Sequence, residues 1–215
     1  MKIGFIGSGG MAKALAGKWA ANHDIVISGR DAAKAAVAAQ SIGVASGTAP
    51  EAAAHGDVVV LATRHEDVFA AIDQAGGPEA FAGKTVIDIN NPVSVETFQT
   101  TRDDGRSLTE AIAARLPGAS VVKAFNMAQV AVWEDPDMSY DGRPLVTLYT
   151  SDDPAADAVV EALIRDVGAE PVKHGGNLHA YQLEAAAAIV IKFLFAGRDT
   201  HTVLNLIQPE IKPVH

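Results

Sequence analysis

The chain has 215 residues, of which 48% are hydrophobic, and it carries a formal net charge of −9 at pH 7. This length suits one compact domain, or one domain with a small appendage, and the apolar content is sufficient for a core. The negative charge disfavours non-specific binding to nucleic acid or to anionic membranes, and the absence of cysteine excludes disulfides, thiolate nucleophiles and cysteine-ligated zinc.

Strands and helices are predicted to alternate from the first residues onward. Short apolar segments rich in β-branched residues indicate strands, and those at 57–63 and 84–90 are nearly continuous, as expected when helices cover both faces of a sheet. The predicted strands are 2–7, 24–28, 57–63, 84–90, 120–125, 144–150 and 169–174, and the clearest helices are 10–23, 31–41 and 152–168. This pattern predicts an α/β fold of Rossmann type, with a doubly wound, mostly parallel sheet and a small helical C-terminal part.

The last forty residues differ in character from the rest of the chain. Segment 177–200 predicts a long helix, which is apolar nearly all round between 185 and 196 and therefore needs partners on several sides. The apolar run within it is too short to span a bilayer and contains Lys192, so we expect no membrane segment and a cytoplasmic location. Either this helix fills the core of a small second domain, or it packs against a second copy. We divide the chain into a Rossmann domain, 1–174, and a helical segment, 175–215, that is expected to form a homodimer.

A glycine-rich loop follows the first predicted strand. Its sequence, GSGGMA at 7–12, fits the G-x-G-x-x-A pattern and opens a helix within a βαβ unit, which is the context that a dinucleotide-binding loop requires. The first glycine permits the tight turn, the second lets the backbone approach a pyrophosphate, and Ala12 lets the helix lie close to the strand. The helix N-terminus then offers unpaired N–H groups to the phosphates. The residues assigned to phosphate binding are Gly7, Ser8, Gly9, Gly10 and Met11.

The end of the second predicted strand indicates which dinucleotide is bound. NAD sites place a carboxylate here to accept hydrogen bonds from the adenosine ribose. This chain instead has Ser28, Gly29 and Arg30, with Lys34 one helical turn later, and Asp31 is better explained as a helix N-cap. A 2′-phosphate would interact with the Ser28 hydroxyl and with the two cations. The sequence therefore predicts NADP(H) rather than NAD.

Three stretches together resemble a known family. GFIGSGGMAKALA (4–16), the SGR…K pattern (28–34) and VVKAFN (121–126) are similar to the NADPH-dependent coenzyme F420 reductases, also called F420-dependent NADP oxidoreductases. Their relatives include the cytosolic reductase domains of the six-helix membrane metalloreductases. The resemblance implies NADP(H) in an extended cleft, direct hydride transfer between the nicotinamide and a deazaflavin (coenzyme F420) acceptor, and a dimer. It also implies that Ser28, Arg30 and Lys34 hold the 2′-phosphate.

The chain departs from this family at the nicotinamide end of the cleft. Arg64 stands in ATRHEDV (62–68) where the family usually has proline, and Met127 follows KAFN where it often has threonine. Segment 128–144 has no clear counterpart. The resemblance therefore defines the nucleotide more firmly than the electron acceptor.

Three strand ends are expected to meet around the nicotinamide half of the cofactor, because open α/β sheets bind ligands beyond the carboxyl ends of their strands. Asn126 is expected to bind the carboxamide or a ribose hydroxyl, or to form only an Asx turn. Arg64 could bind the pyrophosphate or an acidic acceptor, or form a surface salt bridge. The cofactor-binding residues predicted at this end are Ala62, Thr63, Arg64, Asn91, Pro92 and Asn126.

No side chain is predicted to be an essential catalyst, and no metal site is predicted. The sequence has no Ser-His-Asp order or HExxH string, and His174, His179 and His201 are too widely spaced to indicate a metal. His65 could act as a general acid, although a loop histidine beside two carboxylates is more often solvated. Hydride transfer between two carriers requires alignment and exclusion of water rather than an acid–base residue.

Three functions fit these features. The leading hypothesis is an NADP(H)-dependent oxidoreductase that exchanges hydride with a deazaflavin, a small-molecule electron acceptor. An alternative keeps NADPH but reduces a small imine or alkene, with His65 or solvent as proton donor. The third is a protein that senses NADP without turnover. All three need the glycine loop, so a pocket with room for a planar tricycle over the nicotinamide would favour the first.

Overall fold

A computed structural model gives the fold and describes residues 1–102, 104–140 and 142–198, so His201 lies outside the described residues. The strands are β1 Lys2–Ile6, β2 Asp24–Ser28, β3 Ala45–Gly47, β4 Val58–Leu61, β5 Thr85–Asp88, β6 Ser120–Lys123, β7 Ser139–Tyr140, β8 Arg143–Pro144, β9 Val146–Ser151 and β10 Glu170–Gly175. The α-helices are α1 Gly10–Trp19, α2 Ala32–Ile42, α3 Ala49–His55, α4 Val68–Gln74, α5 Leu108–Arg115, α6 Val130–Glu134, α7 Pro154–Asp166 and α8 Ala180–Phe195.

Eight strands form one sheet in the order β10-β9-β6-β5-β4-β1-β2-β3. Neighbouring strands are parallel except β6 and β9, which are antiparallel, and β7 and β8 form a separate antiparallel pair. The predicted doubly wound, mostly parallel sheet is confirmed. From β1 the chain adds β2 and β3 on one side and then crosses to β4 on the other. The crevice between β1 and β4 is therefore the switch point at which such sheets bind ligands.

Helices cover both faces of the sheet, and the side chains of β4 show how the core is divided. Val58 and Val60 belong to a cluster with residues of α1 and α7, whereas Val59 and Leu61 belong to a cluster with residues of α3, α4 and α5. All four side chains are buried. Since successive strand side chains point to opposite faces, a strand covered on both sides must be apolar throughout, which explains its uninterrupted apolar sequence.

Some helices, and some helix boundaries, differ from those predicted from the sequence. Helix α1 ends at Trp19 rather than at residue 23, and a turn follows in which the N–H groups of Asn22 and His23 donate to the Trp19 carbonyl. Helices α3, α4 and α5 were not predicted. Helices α3 and α5 begin with capping boxes, in which Thr48 and Ser107 each pair with a glutamate three residues later. This Ser/Thr-x-x-Glu spacing is a signal that the sequence does contain.

The C-terminal helix α8 is anchored to the Rossmann domain by one face. Leu183, Glu184 and Ala187 are buried on that face, whereas Ile189 and Phe195 are 46% and 68% exposed. With the turn before it, α8 forms a segment, Asn177–Phe195, that is long and apolar enough to cross a membrane, contrary to the expectation that its apolar run is too short, and 28% of its apolar 18-residue window is buried. Length and composition alone are weak evidence of a span, since the core helix of a globular domain meets the same criterion.

Candidate functional site

The glycine-rich loop between β1 and α1 has the conformation that its sequence predicts. Gly7 has φ +123°, and a Cβ there would lie 2.2 Å from the Ala62 carbonyl oxygen, so only glycine fits. A Cβ on Gly9 would meet nothing within 4 Å, which leaves space above the loop. Gly9 is the N-cap of α1, and neither a capping side chain nor an acidic residue occupies the first turn. The helix N-terminus is therefore available to an anion.

A cavity of about 390 Å³ lies over this loop and extends to the end of β2. It brings together ten of the fifteen predicted cofactor-binding residues. They are Gly7, Ser8, Gly9, Ser28, Gly29, Arg30, Lys34, Ala62, Thr63 and Arg64. The adenosine half of the predicted site is thus assembled from β1, β2 and β4 at the switch point of the sheet.

Two exposed cations stand at the adenosine end of this cavity. The side chains of Arg30 and Lys34 are 71% and 82% exposed, and they lie 3.2 Å from Asp67 and 3.7 Å from Asp31 respectively. Asp31 is the N-cap of α2, as predicted, and the backbone N–H of Lys34 lowers the pKa of this carboxyl. Because both cations are solvated and loosely paired, a bound phosphate could replace these carboxylate contacts, with a bidentate contact to Arg30 and a point-charge contact to Lys34.

Ser28 and Gly29 contribute to the cavity in a way that the sequence did not reveal. The Ser28 hydroxyl is buried and donates a hydrogen bond to the Phe5 carbonyl, 2.8 Å away. In this structure the Ser28 proton is donated inside the sheet, and a contact of this hydroxyl with a 2′-phosphate stays a prediction. A Cβ on Gly29 would lie 2.5 Å from the Ser8 Oγ, so glycine is required for the loop and the strand end to meet.

A second cavity, of about 410 Å³, adjoins the first along a shared wall formed by Ala62, Thr63 and Arg64. It contains Met11 and Asn91 from the predicted site, together with apolar side chains of α8. Pro92 lies in a third cavity, of about 520 Å³, that shares Arg64 and the residues after it with the second. The ends of β4 and β5 therefore meet around these cavities, whereas the residues after β6 do not line them.

Asn91 and Asn126 form a reciprocal pair that joins the ends of β5 and β6. The Asn91 amide donates to the Asn126 carbonyl over 2.8 Å, and the Asn126 amide donates to Asn91 Oδ1 over 2.9 Å and to the Leu183 carbonyl over 3.1 Å. Asn126 is not among the residues that line the three cavities. Its role in this structure is to fix Asn91 and α8, and only its buried Oδ1 has no partner. Phe125, just before it, has φ +61°, a strained value for a bulky residue.

Segment 128–144 supports the phosphate loop from the side. A Cβ on Gly10 would approach the Val130 side chain to 3.2 Å, so α6 packs directly on the first turn of α1. Trp133 is buried and its ring lies 5.4 Å from that of Phe125. The Lys18 ammonium also donates to the Asp135 carbonyl. This segment therefore has a structural function beside the site, and Gly10 allows α6 to pack closely against α1.

A buried charge cluster, formed by Lys123, Asp88 and Glu184, lies beneath the nicotinamide end of the cleft. The Lys123 ammonium donates to Asp88 Oδ2 at 2.9 Å, to Glu184 Oε1 at 3.1 Å and to the Asn90 carbonyl, and its side chain is fully buried. Burial raises the pKa of Glu184, and the neighbouring Lys123 charge opposes that shift. The sequence reading did not identify this cluster, although charged residues within apolar strands were a signal for it.

Each carboxylate of the cluster has further hydrogen bonds. Asp88 accepts from the Thr109 hydroxyl at 2.8 Å and from the Asn90 backbone N–H at 3.0 Å, and Glu184 accepts from the Leu108 N–H at 3.0 Å. Buried charges are tolerated only with such partners. The cluster thus ties β5, β6, α5 and α8 together directly behind the Asn91–Asn126 pair.

Comparison with known families agrees with this geometry. Residues 2–92 match the model of a family described as NADP oxidoreductase, coenzyme F420-dependent. The resemblance predicted from the sequence is confirmed over this part of the chain, which contains the glycine loop and the ends of β2 and β4. No curated protein matches the chain.

Solved structures match over a longer range. A protein from Arthrobacter sp. FB24, designated an F420-dependent NADP reductase, has 27% identity and a TM-score of 0.82 over 92% of this chain and 96% of that one. A hypothetical protein from Sinorhizobium meliloti has 27% identity and a TM-score of 0.74 over 84% and 88%. A reductive aminase from Aspergillus terreus, solved with NADPH and ethyl levulinate, has 22% identity and a TM-score of 0.68 over 91% and 62%. The last shows likeness of fold alone. The family match agrees with the predicted class, an NADP-dependent oxidoreductase.

Proposed function

We propose that this protein transfers a hydride between NADP(H) and a deazaflavin acceptor of the coenzyme F420 type. The observation that carries the proposal is a dinucleotide cleft with an uncapped helix N-terminus and two solvated cations, Arg30 and Lys34, in a chain whose first 92 residues match the F420-dependent family. The cations favour a nucleotide with a 2′-phosphate, because a guanidinium and an ammonium both bind phosphate well.

The arrangement of the two adjoining cavities suits hydride transfer between two carriers. A dinucleotide that occupies the first cavity and crosses the shared wall at Ala62–Arg64 would carry its nicotinamide into the second. That cavity is bounded by apolar side chains, including Ile89, Ile191 and Phe195, against which a planar acceptor could stack. The bound cofactor supplies the hydride, and the residues of this chain align the two ring systems and exclude water.

A second candidate function is the reduction of a small imine or alkene. It is favoured by the fold likeness to the Aspergillus terreus reductive aminase, although this chain spans 62% of the length of that chain. By contrast, the likeness to the Arthrobacter protein extends over nearly the whole of both chains. This difference in coverage supports the deazaflavin as the acceptor to test first.

The decisive experiment mixes the purified protein with NADPH and the deazaflavin coenzyme and follows both absorbance bands. We expect the two bands to fall together in a one-to-one ratio, because one hydride leaves each NADPH for each deazaflavin reduced. Oxidation of NADPH by a cyclic imine but not by the deazaflavin would replace the proposal by the second candidate. Tight NADPH binding with turnover of neither would indicate a protein that senses NADP.

A homodimer formed through α8, in the cytoplasm, completes the proposal. Three large side chains of α8, those of Tyr181, Ile189 and Phe195, are between 46% and 68% exposed. Phe98 covers only part of this surface, with its ring 5.7 Å from that of Phe195. Large exposed apolar side chains on one helix are typical of a contact between subunits.

A further inference from the structure

Two polar atoms just after β4 are buried without hydrogen-bond partners. They are the Thr63 hydroxyl oxygen and the His65 Nε2, which lie two residues apart in the chain. Buried polar groups without partners are rare in folded proteins, and each one requires an explanation. Both residues line the second cavity, and their unpartnered atoms are buried beneath its surface, so a ligand in that cavity can supply the missing partners once a side-chain rotation exposes them.

The positions of the two residues separate their roles. Thr63 belongs to the wall shared by the first and second cavities, where the cofactor is proposed to cross. His65 lines the second and third cavities and is not among the residues of the first. The His65 side chain therefore faces the space that remains for the acceptor.

The other polar side chains around the second cavity are already engaged. The Asn90 amide donates to the Leu61 carbonyl and to Asp88, and Asn91 is paired with Asn126 in both directions. Arg64 lies 3.2 Å from Glu66. Among the described residues that line this cavity, His65 offers the unengaged ring nitrogen.

The surroundings of His65 allow its Nε2 to act as a hydrogen-bond donor. Its side chain is 15% exposed, and its Nδ1 lies 3.4 Å from Glu66 Oε2. The pKa of Glu66 is lowered, first by a hydrogen bond from its own backbone N–H and then by Arg64 and His65, so it carries a negative charge at neutral pH. His65 Nδ1 and Glu66 Oε2 form no hydrogen bond in this arrangement, so Nδ1 is not required to carry the ring proton and a neutral imidazole can carry it on Nε2.

We propose that His65 is an acceptor-binding residue, whose Nε2–H donates a hydrogen bond to the heteroatom that receives the acceptor's electron pair. This inference rests on the proposed function and narrows the acceptor to a conjugated ring that carries a carbonyl oxygen or an imine-type nitrogen. In the reduction, a C–H bond of the dihydronicotinamide breaks with its electron pair, and a new C–H bond forms at the acceptor carbon. The displaced π electrons move to the heteroatom held by His65, which then takes a proton from solvent. The nicotinamide is oxidised and the acceptor is reduced.

The test compares His65→Leu, which removes the donor, with His65→Gln, which restores an N–H donor without acid–base chemistry. His174→Leu is the matched control, because His174 is exposed and lines none of the three cavities. The measurements are the Kd of NADPH, the Kd of the deazaflavin for the NADP⁺-bound protein, and the single-turnover rate. For His65→Leu we expect the acceptor Kd to rise, and the rate to fall, by about tenfold each, as for one lost hydrogen bond to a developing charge. The Kd of NADPH should stay within about twofold, and His65→Gln should recover most of both losses.

Other outcomes would overturn the inference. If His65→Leu weakens NADPH and acceptor equally, the residue serves the cofactor or the fold. Unchanged acceptor binding and rate would show that Nε2 contacts no acceptor atom, and failure of His65→Gln to recover the rate would make His65 a proton donor instead. If the wild-type protein reduces a cyclic imine and neither binds nor reduces the deazaflavin, the proposed function fails, and the same variants are measured with the imine. Use of neither acceptor by the wild type overturns both.

Discussion

Lys123→Met tests whether the buried charge cluster stabilises the fold. The substitution removes the ammonium that Asp88 and Glu184 share, while it keeps an unbranched side chain of similar volume in the fully buried position. The two carboxylates retain their bonds from Thr109 and from the Leu108 N–H but lose the cation that compensates their charge. A large loss of stability is therefore expected.

The magnitude follows from the burial of all three groups. Removing one partner of a buried ion pair costs about 3–5 kcal/mol, because an uncompensated charge remains in the interior. For a domain of this size about 1 kcal/mol lowers Tm by about 2–4 °C, so we expect a decrease of about 6–20 °C. Adding Glu184→Gln to the variant should recover part of this loss, because it removes one buried negative charge.

The loss should also depend on pH, and its sign follows from Glu184. Burial already raises the pKa of this carboxyl above its ordinary value of 4.5, and removal of the Lys123 charge should raise it further. The folded protein therefore binds the Glu184 proton more tightly than the unfolded chain does. The stability that this proton contributes is present below the unfolded-state pKa and is lost as pH rises through the folded-state pKa. The deficit of Lys123→Met relative to wild type should therefore be smallest near pH 4 and grow toward neutral pH.

Thermal and urea unfolding of wild type and variant between pH 4 and pH 8 measure both effects. Lys34→Met is the matched control, since its ammonium is 82% exposed and its removal should change stability by less than about 0.5 kcal/mol. A Lys123→Met protein with a Tm within about 3 °C of wild type would refute the reasoning. A deficit that grows toward acid pH would refute the assignment to Glu184.

Three further predictions concern the cofactor and the assembly. Arg30→Ala should raise the Kd of NADPH about tenfold and leave the Kd of NADH nearly unchanged. This effect is at the low end of the range for a hydrogen bond to a charged group, because the Arg30 side chain is 71% exposed. Calorimetric titrations that give equal wild-type affinities for the two nucleotides would contradict the assignment. Gly7→Ala should lower the stability by about 1–3 kcal/mol through backbone strain, because its Cβ would overlap the Ala62 carbonyl. The variant should also lose the increase in Tm that NADPH causes in the wild type. An undiminished increase in Tm would show that the loop does not hold the nucleotide. Phe195→Asp should shift the protein toward monomer in sedimentation at micromolar concentration, whereas a monomeric wild type would refute the dimer.

The local pattern of the sequence was sufficient to predict the type of fold and most of the residues that line the first cavity. A strand buried on both faces must be apolar throughout, and a tight turn at φ +123° requires glycine, so β4 and the loop at Gly7 could be identified from a few neighbouring residues. The predicted preference for NADP(H) likewise required only the residues at the end of β2, where no carboxylate takes the position expected in an NAD site.

Only the tertiary structure decided which distant groups meet. The Ser28 hydroxyl is turned to the carbonyl of Phe5, 23 residues away, and the Lys123 ammonium meets Glu184, 61 residues away on α8. Local periodicity specifies an element and its buried face, but it does not specify which element covers that face, because strand order and helix packing depend on the whole core. For this reason the sequence could offer His65 as a candidate acid, whereas the burial of its unpartnered Nε2 beside the second cavity was determined by how the end of β4 packs against its neighbours.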